Sequence, residues 1–240
     1  MAVYDTVLRR WEPVAEGTAA FYFEKPASFA HQAGQNAVFT LVDPPEVDAK
    51  GPSRTFTIAS APHEAELMIA TRMRDTAFKR VLKSAVPGKR VRIDGPGGVM
   101  VLHEHAARPA VFLAGGIGVT PFLSMARHAA KDRLPHRITL FYSNRRREDA
   151  AFLEELRALE RSNPNYRLIA TMAEAEKSSR PWDGETGFIR REMLERHLDN
   201  LKSPVYYFAG PPAMTMAMQE MLEGLGVTEN DMRSEEFYGY

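Results

Sequence analysis

The sequence predicts two unlike halves, an antiparallel six-stranded β-barrel with one helix followed by a parallel-sheet α/β domain. Two rhythms carry this expectation. The first hundred residues are short alternating or β-branched segments punctuated by Pro and Gly. After Arg108-Pro109, apolar strands alternate with helical stretches, the pattern of βα units around a sheet covered on both faces. The barrel strands are expected at Val3–Trp11, Thr18–Lys25, Ala37–Val42, Arg54–Ala61, Glu66–Arg72 and Arg90–Asp94, with a helix near Thr76–Ser84. In the second half, Ala110–Leu113 precedes a helix over Pro121–Lys131, and Arg137–Tyr142 precedes Asp149–Glu160. Tyr166–Thr171 precedes a long polar loop, and Val205–Phe208 precedes Ala213–Leu222. The boundary is expected near Glu104–Pro109, giving domains 1–106 and 107–240.

Composition narrows the function classes. A zero formal net charge argues against general nucleic-acid affinity. The absence of cysteine removes disulfides, thiol nucleophiles and thiolate-held metals from this chain, and fits a reducing cytoplasm. No apolar run approaches a membrane span, and Met1–Trp11 lacks the apolar stretch of a signal peptide. A cytoplasmic protein with no membrane partner is expected.

Ala114-Gly115-Gly116-Ile117-Gly118-Val119-Thr120-Pro121 lies between a buried strand and a helix. Its glycines permit a tight turn and close backbone approach, and the helix N-terminus offers free N–H groups suited to a pyrophosphate. Alone, it also reads as an ordinary glycine-rich turn, and it is not the G-x-G-x-x-G fingerprint. A second such turn, Ala209-Gly210-Pro211-Pro212-Ala213-Met214, again joins strand to helix. Two turns at strand C-terminal ends of one sheet face a common crevice. In the barrel, Arg54 and Phe56 project to one face of a strand, a cation beside a flat ring. Thr57 points elsewhere, with its hydroxyl at the rim.

Together these segments resemble the ferredoxin–NADP reductase superfamily, in its stand-alone form without an iron–sulfur domain. Its R-x-(Y/F)-(S/T) motif is similar to Arg54–Thr57, its G-G-x-G-x-(T/S)-P motif to Gly115–Pro121, and its C-G-P-P-x-M motif to Ala209–Met214. Ala33-Gly34-Gln35 and Gly95–Gly98 resemble the family's P-G-Q and G-P-x-G. The resemblance implies a flavin-binding barrel and a nicotinamide-binding α/β domain, with FAD as cofactor and NADPH or NADH as co-substrate. Arg54 would pair with the flavin pyrophosphate, Phe56 would pack on the isoalloxazine, and Thr57 would hydrogen-bond near flavin N5. Backbone groups of Thr71, Met73 and Arg74 and the helix start at Thr76–Phe78 would hold the rest of FAD. Gly116, Gly118, Thr120 and Pro121 would cradle the dinucleotide phosphates, and Gly210, Pro211 and Pro212 would border the nicotinamide. Ser143 and Arg145, in Tyr142–Arg147, would meet the adenosine ribose, and the missing acid there favours NADPH; the arginine run is otherwise a solvated loop.

Three departures stand out. Ala209 replaces the usual Cys, Phe56 replaces the commoner Tyr, and Asp75–Lys79 lacks the usual G-x-x-(S/T), so weaker FAD retention is expected. Glu235 and Phe237 match the family's terminal E-x-F, and Phe237 and Tyr240 are expected to cover the flavin and gate nicotinamide access. His103 and His105 supply only two ligands at a domain boundary, so no metal is expected. Arg72, Arg74, Lys79, Arg80, Lys83, Lys89, Arg90 and Arg92 form a basic cluster opposed within their span only by Asp75. An acidic electron carrier, a ferredoxin or an iron–sulfur oxygenase component, is expected to dock there. The expected activity is hydride transfer from NAD(P)H to FAD and electron delivery to that carrier. A free-flavin or ferric reductase is the alternative, and a non-catalytic dinucleotide-binding protein the third reading.

Overall fold

The computed structural model describes residues 2–237. Six antiparallel strands form the first sheet, namely β1 (Ala2–Ala15), β2 (Thr18–Glu24), β3 (Asn36–Leu41), β4 (Ser53–Thr57), β5 (Glu66–Arg72) and β6 (Arg90–Gly97). Their order is β4-β3-β6-β1-β2-β5. β4 stops at Thr57, earlier than expected, because the chain then crosses to the far edge. There Ala59 N–H donates to Met68 O at 2.7 Å, joining the two ends of the sheet. Alternate residues point inward, so Phe21, Phe23, Phe39, Leu67, Ile69, Val91 and Ile93 fill one apolar cluster. The helix α1 (Ala77–Ser84) plugs it with Ala77, Phe78, Val81 and Leu82, an i, i+1, i+4, i+5 stripe. Thr76 caps α1, its hydroxyl accepting from Lys79 N–H.

The second sheet is parallel, in the order β10-β9-β8-β7-β11-β12. It comprises β7 (Ala110–Gly115), β8 (Ile138–Asn144), β9 (Tyr166–Met172), β10 (Glu185–Thr186), β11 (Val205–Gly210) and β12 (Met232–Glu236). Period-two alternation sends Ala110, Phe112, Leu140 and Tyr142 to one face. Val111, Leu113, Phe141 and Phe208 go to the other. The covering helices are α2 (Thr120–Asp132), α3 (Leu153–Ser162), α4 (Arg191–His197) and α5 (Pro212–Gly224).

Three expectations need correction. The polar loop after β9 contains β10 and α4, because Ile189, Met193 and Leu194 bury against the second face. The helix expected from Asp149 starts at Leu153, since Phe152 adopts a left-handed φ of 59°. Ser234–Glu236 belong to β12, paired with β11, rather than to a tail beyond the last strand. Among the described residues, no helix is long and apolar enough to cross a membrane.

The halves share a core. Ala20, Ala59, Met68 and Ala70 of the barrel join Phe122, Met125 and Ala126 of α2 in one apolar cluster. Around it, Ser124 Oγ donates to Ser60 O at 2.7 Å. Arg127, only 16% exposed, meets Glu64 at 3.3 Å on the barrel side and Glu155 at 2.5 Å on α3.

Candidate functional site

The chain runs from β7 outward to β8 and β9, then returns to place β11 on β7's other side. That reversal makes the C-terminal ends of β7 and β11 a topological switch point, where open parallel sheets leave a crevice. Both glycine turns are there, and they interlock. A Cβ on Gly118 would lie 2.5 Å from Ala209 C and 2.7 Å from Gly210 N. One on Gly115 would run into Met214 Sδ and approach Pro211 Cδ at 3.1 Å. Gly118 is therefore required by the neighbouring turn, whatever ligand it meets. Gly116 takes a left-handed φ of 53°. Thr120 spends its buried hydroxyl on Ile117 O at 3.1 Å, and Pro121 is buried, so what this turn can offer a phosphate is backbone. Pro211 and Pro212 are half-buried beside them.

The barrel brings polar groups to this end. Thr57 closes β4 opposite Asn36, the first residue of β3. Asn36 Nδ2 donates to Glu235 Oε1 at 2.8 Å, and Glu235 stands in register with Ala209. Thr57 Oγ1 and Glu235 Oε2 are both buried without a hydrogen-bond partner among the described residues. Two unsatisfied buried oxygens are costly unless a ligand completes them. Burial pushes the Glu235 carboxyl up, and the Asn36 hydrogen bond pulls it back down. Phe237 N–H donates to Gly210 O at 3.0 Å, and its half-buried ring packs on the shared core. Tyr240 lies outside the described residues. Asn36 carried no sequence signal beyond following the Gly34-Gln35 match, and Glu235 was legible only as part of E-x-F.

A second cluster surrounds the start of α1. Arg54 and Phe56 do share a face, for both reach Phe78, at 5.5 Å and 5.6 Å. Lys79 is drawn in beside Arg54 and Arg74; burial first, then those two cations, lower its ammonium to about 8. Three cations at a helix N-terminus suit a diphosphate, which the arrangement fits in charge. The seat, however, already holds an anion. Arg54 Nη2 donates to both Asp48 oxygens at 2.6 and 2.8 Å. Its Nη1 donates to the carbonyls of Lys50, Gly51 and Ser53 at 3.1, 2.9 and 2.7 Å.

The neighbouring expectations change accordingly. Phe78 is a core side chain, 2% exposed. The N–H groups of Met73, Arg74 and Thr76 bond to Gly17, Arg72 and Arg74 carbonyls, because the chain turns tightly there, so they offer no free donors. Thr71 is buried, its hydroxyl donating to Arg72 O at 3.3 Å, and Arg74 is exposed. Among the described residues, three of the eight members of the basic cluster are ion-paired, including Arg92 with Asp5 at 3.6 Å. Arg80 pairs with Glu46 at 2.6 Å and also with Asp75, while Arg90 pairs with Asp43 at 2.9 Å. Lys83 remains exposed.

At the end of β8, Ser143 is half-buried and Arg145 exposed. Arg146 is tied to Glu16 and Asp149, each at 3.0 Å, and Arg147 to Glu154 at 3.2 Å. His103 is buried, with its ring nitrogens 2.9 Å from Tyr207 Oη and 3.1 Å from Arg108 O, while His105 is exposed.

Comparison with known proteins agrees with this architecture. Residues 112–220 match the oxidoreductase NAD-binding domain family. One component of the Na(+)-translocating NADH-quinone reductase of Actinobacillus succinogenes is 33% identical over 161 residues, 65% of this chain and 39% of that protein. The chain thus spans less than half the length of the curated relatives it matches. Two solved structures share the fold across its whole extent. The flavohaem-like FAD/NAD-binding domain of nitric oxide dioxygenase from Vibrio cholerae has a TM-score of 0.82 at 19% identity, covering 97% of this chain and 98% of that one. A ferredoxin NADP+ reductase from Neisseria gonorrhoeae, solved with bound FAD and NADP, has a TM-score of 0.80 at 18% identity and covers 98% of each. With an antiparallel six-stranded barrel and a parallel switch-point sheet in place, the chain has a ferredoxin–NADP reductase-like fold.

Proposed function

We propose that this protein is an NAD(P)H-dependent flavin oxidoreductase that binds FAD in the barrel and passes electrons to a separate acceptor protein. The observation that carries the reading is the buried, unpartnered Thr57 hydroxyl on the strand paired with Asn36, whose amide holds Glu235 beside the Gly210 turn. Bound FAD would accept a hydride and release its electrons onward. The chain's own part is positioning. Thr57 supplies a directed hydroxyl, Phe56 an apolar surface, and Arg54, Arg74 and Lys79 the charge for a diphosphate. The interlocked turns at Gly116–Gly118 and Gly210–Pro212 leave the crevice to the nicotinamide dinucleotide. The Asn36–Glu235 bond sets the spacing between the halves, which orientation-dependent transfer requires. Phe237, anchored on Gly210 O, covers the junction.

The names of the relatives and neighbours support an electron-transfer role, with NADH or NADPH as donor. The acceptor fits a ferredoxin or an iron–sulfur oxygenase component, and the setting a cytoplasmic protein divided at 1–106 and 107–240. One observation favours the alternative of a free-flavin or ferric reductase, namely the occupation of Arg54 by Asp48. The deciding experiment follows flavin uptake and NADH or NADPH oxidation with ferricyanide, with and without added FAD. Flavin-dependent oxidation is expected. A protein that takes up no flavin and oxidises neither nucleotide would refute the reading.

A further inference from the structure

Segment 43–52, between β3 and β4, lies along α1 and is fastened to it by carboxylates. Glu46 pairs with Arg80 on the helix at 2.6 Å. Asp48 reaches the helix start, where the Ala77 N–H and both Nη2 contacts of Arg54 converge on it. The pair is partly shielded, with Arg54 18% and Asp48 29% exposed. A charge-assisted guanidinium–carboxylate hydrogen bond is among the stronger contacts a side chain makes. Arg54 has five N–H groups. Nη1 and Nη2 are committed to Asp48, Lys50, Gly51 and Ser53, all within the segment that leads into its own strand. Only Nε remains for another acceptor.

A guanidinium so engaged offers a second anion a single N–H unless it releases the first. The local charges explain why the acid stays. Arg74 and Lys79 lie close enough to Arg54 that their mutual repulsion lowers Lys79, so a resident negative charge relieves all three. Asp48 therefore does for the flavin-free protein what a diphosphate does for the loaded one.

We infer that Asp48 is an internal competitor for the flavin diphosphate, so that this chain binds FAD in exchange for releasing segment 43–52 from Arg54 and takes the cofactor weakly and exchangeably. The inference rests on the proposed flavin site and names the residue that sets its affinity. It also makes cofactor choice depend on phosphate content. A flavin without phosphates has nothing to gain at Arg54 and is indifferent to Asp48.

The test measures dissociation constants of FAD and riboflavin, by quenching of flavin fluorescence, for the flavin-free full chain and for D48N and D48E. Removing the charge while keeping the side-chain shape should tighten FAD by about tenfold or more, the scale of a hydrogen-bonded charge. Glutamate should restore the wild-type weakness, and riboflavin should bind all three proteins alike. Thermal melting of each variant without ligand establishes that the fold is intact. Equal or weaker FAD binding by D48N overturns the inference, as does an equal gain for riboflavin. If neither flavin binds any of the proteins, the flavin site itself is wrong and the inference falls with it. FAD binding that D48N leaves untouched sinks the role of Asp48 alone.

Discussion

Gly118→Ala puts a methyl group into the backbone of the adjacent turn. Its Cβ would lie 2.5 Å from Ala209 C and 2.7 Å from Gly210 N. Ordinary carbon contacts begin near 3.5 Å, so the overlap is roughly 1 Å. The obstructing atoms are main chain, held in the β7–β11 ladder by the Ala209↔Ala114 register, and no rotamer change removes them. The cost falls at the upper end of overpacking, about 3 kcal/mol. For a chain of this size, at about 2–4 °C per kcal/mol, Tm should drop by roughly 6–12 °C. Function should suffer before stability is exhausted. Separating the two turns by that distance opens the crevice between them, and KM for NADH and NADPH should rise by about tenfold, equivalent to about 1.4 kcal/mol. Gly210→Ala is the control at the same place. Its Cβ would meet Met214 Sδ at 3.0 Å and the Gly115 backbone at 3.2 and 3.3 Å, a milder overlap than at Gly118, so the effect should be smaller. Differential scanning fluorimetry and steady-state kinetics with ferricyanide measure both quantities. A Gly118→Ala protein with wild-type Tm and KM would show that the turns are not interlocked.

Thr57→Val keeps the shape and removes the hydroxyl; the rate of flavin reduction at saturating FAD should fall by about tenfold, and stopped-flow absorbance at the wild-type rate would remove Thr57 from the site. His31 is lowered from 6.5 to about 4, chiefly by burial against the opposing pull of Ser60 O. Between those values the unfolded chain binds a proton that the folded one refuses, so stability is full above pH 6.5 and falls as the pH drops toward 4, by about 3 kcal/mol. His31→Asn should flatten Tm against pH across that window, and an unchanged slope would refute the assignment. Arg145 is the exposed member of an arginine run whose other two are ion-paired; Arg145→Ala should lower the ratio of kcat/KM for NADPH over NADH by about tenfold, whereas a wild-type preference for NADH would reverse the reading.

Elements with their own periodicity were legible in the sequence. The stripe of Phe78, Val81 and Leu82 and the six buried residues of Ala110–Gly115 announce their structures without reference to anything distant. β12 was not legible, because Met232–Glu236 is short and polar and becomes a strand only where β11 offers it an edge. The glycine turns were recognisable as turns, but their interlocking depends on a contact between residues 118 and 209. Charge misled most. Arg80 and Arg90 read as free cations because Glu46 and Asp43 lie outside their stretch of sequence and arrive by folding. Asp48, six residues before Arg54, carried no sequence signal as its partner for the same reason.

The cluster that joins Ala59 and Met68 to Phe122 and Met125 bears on how such chains can be recombined. Gly34 is packed so closely that a Cβ there would collide with Met125 Cε and the Met100 carbonyl. A barrel grafted onto a foreign sheet would bring its own Gly34 but meet a stranger's side chain in place of Met125. Exchange of halves between relatives is thus a matter of matching two moulded surfaces, and a graft that also carries α2 with its barrel should outperform one cut at the connecting segment.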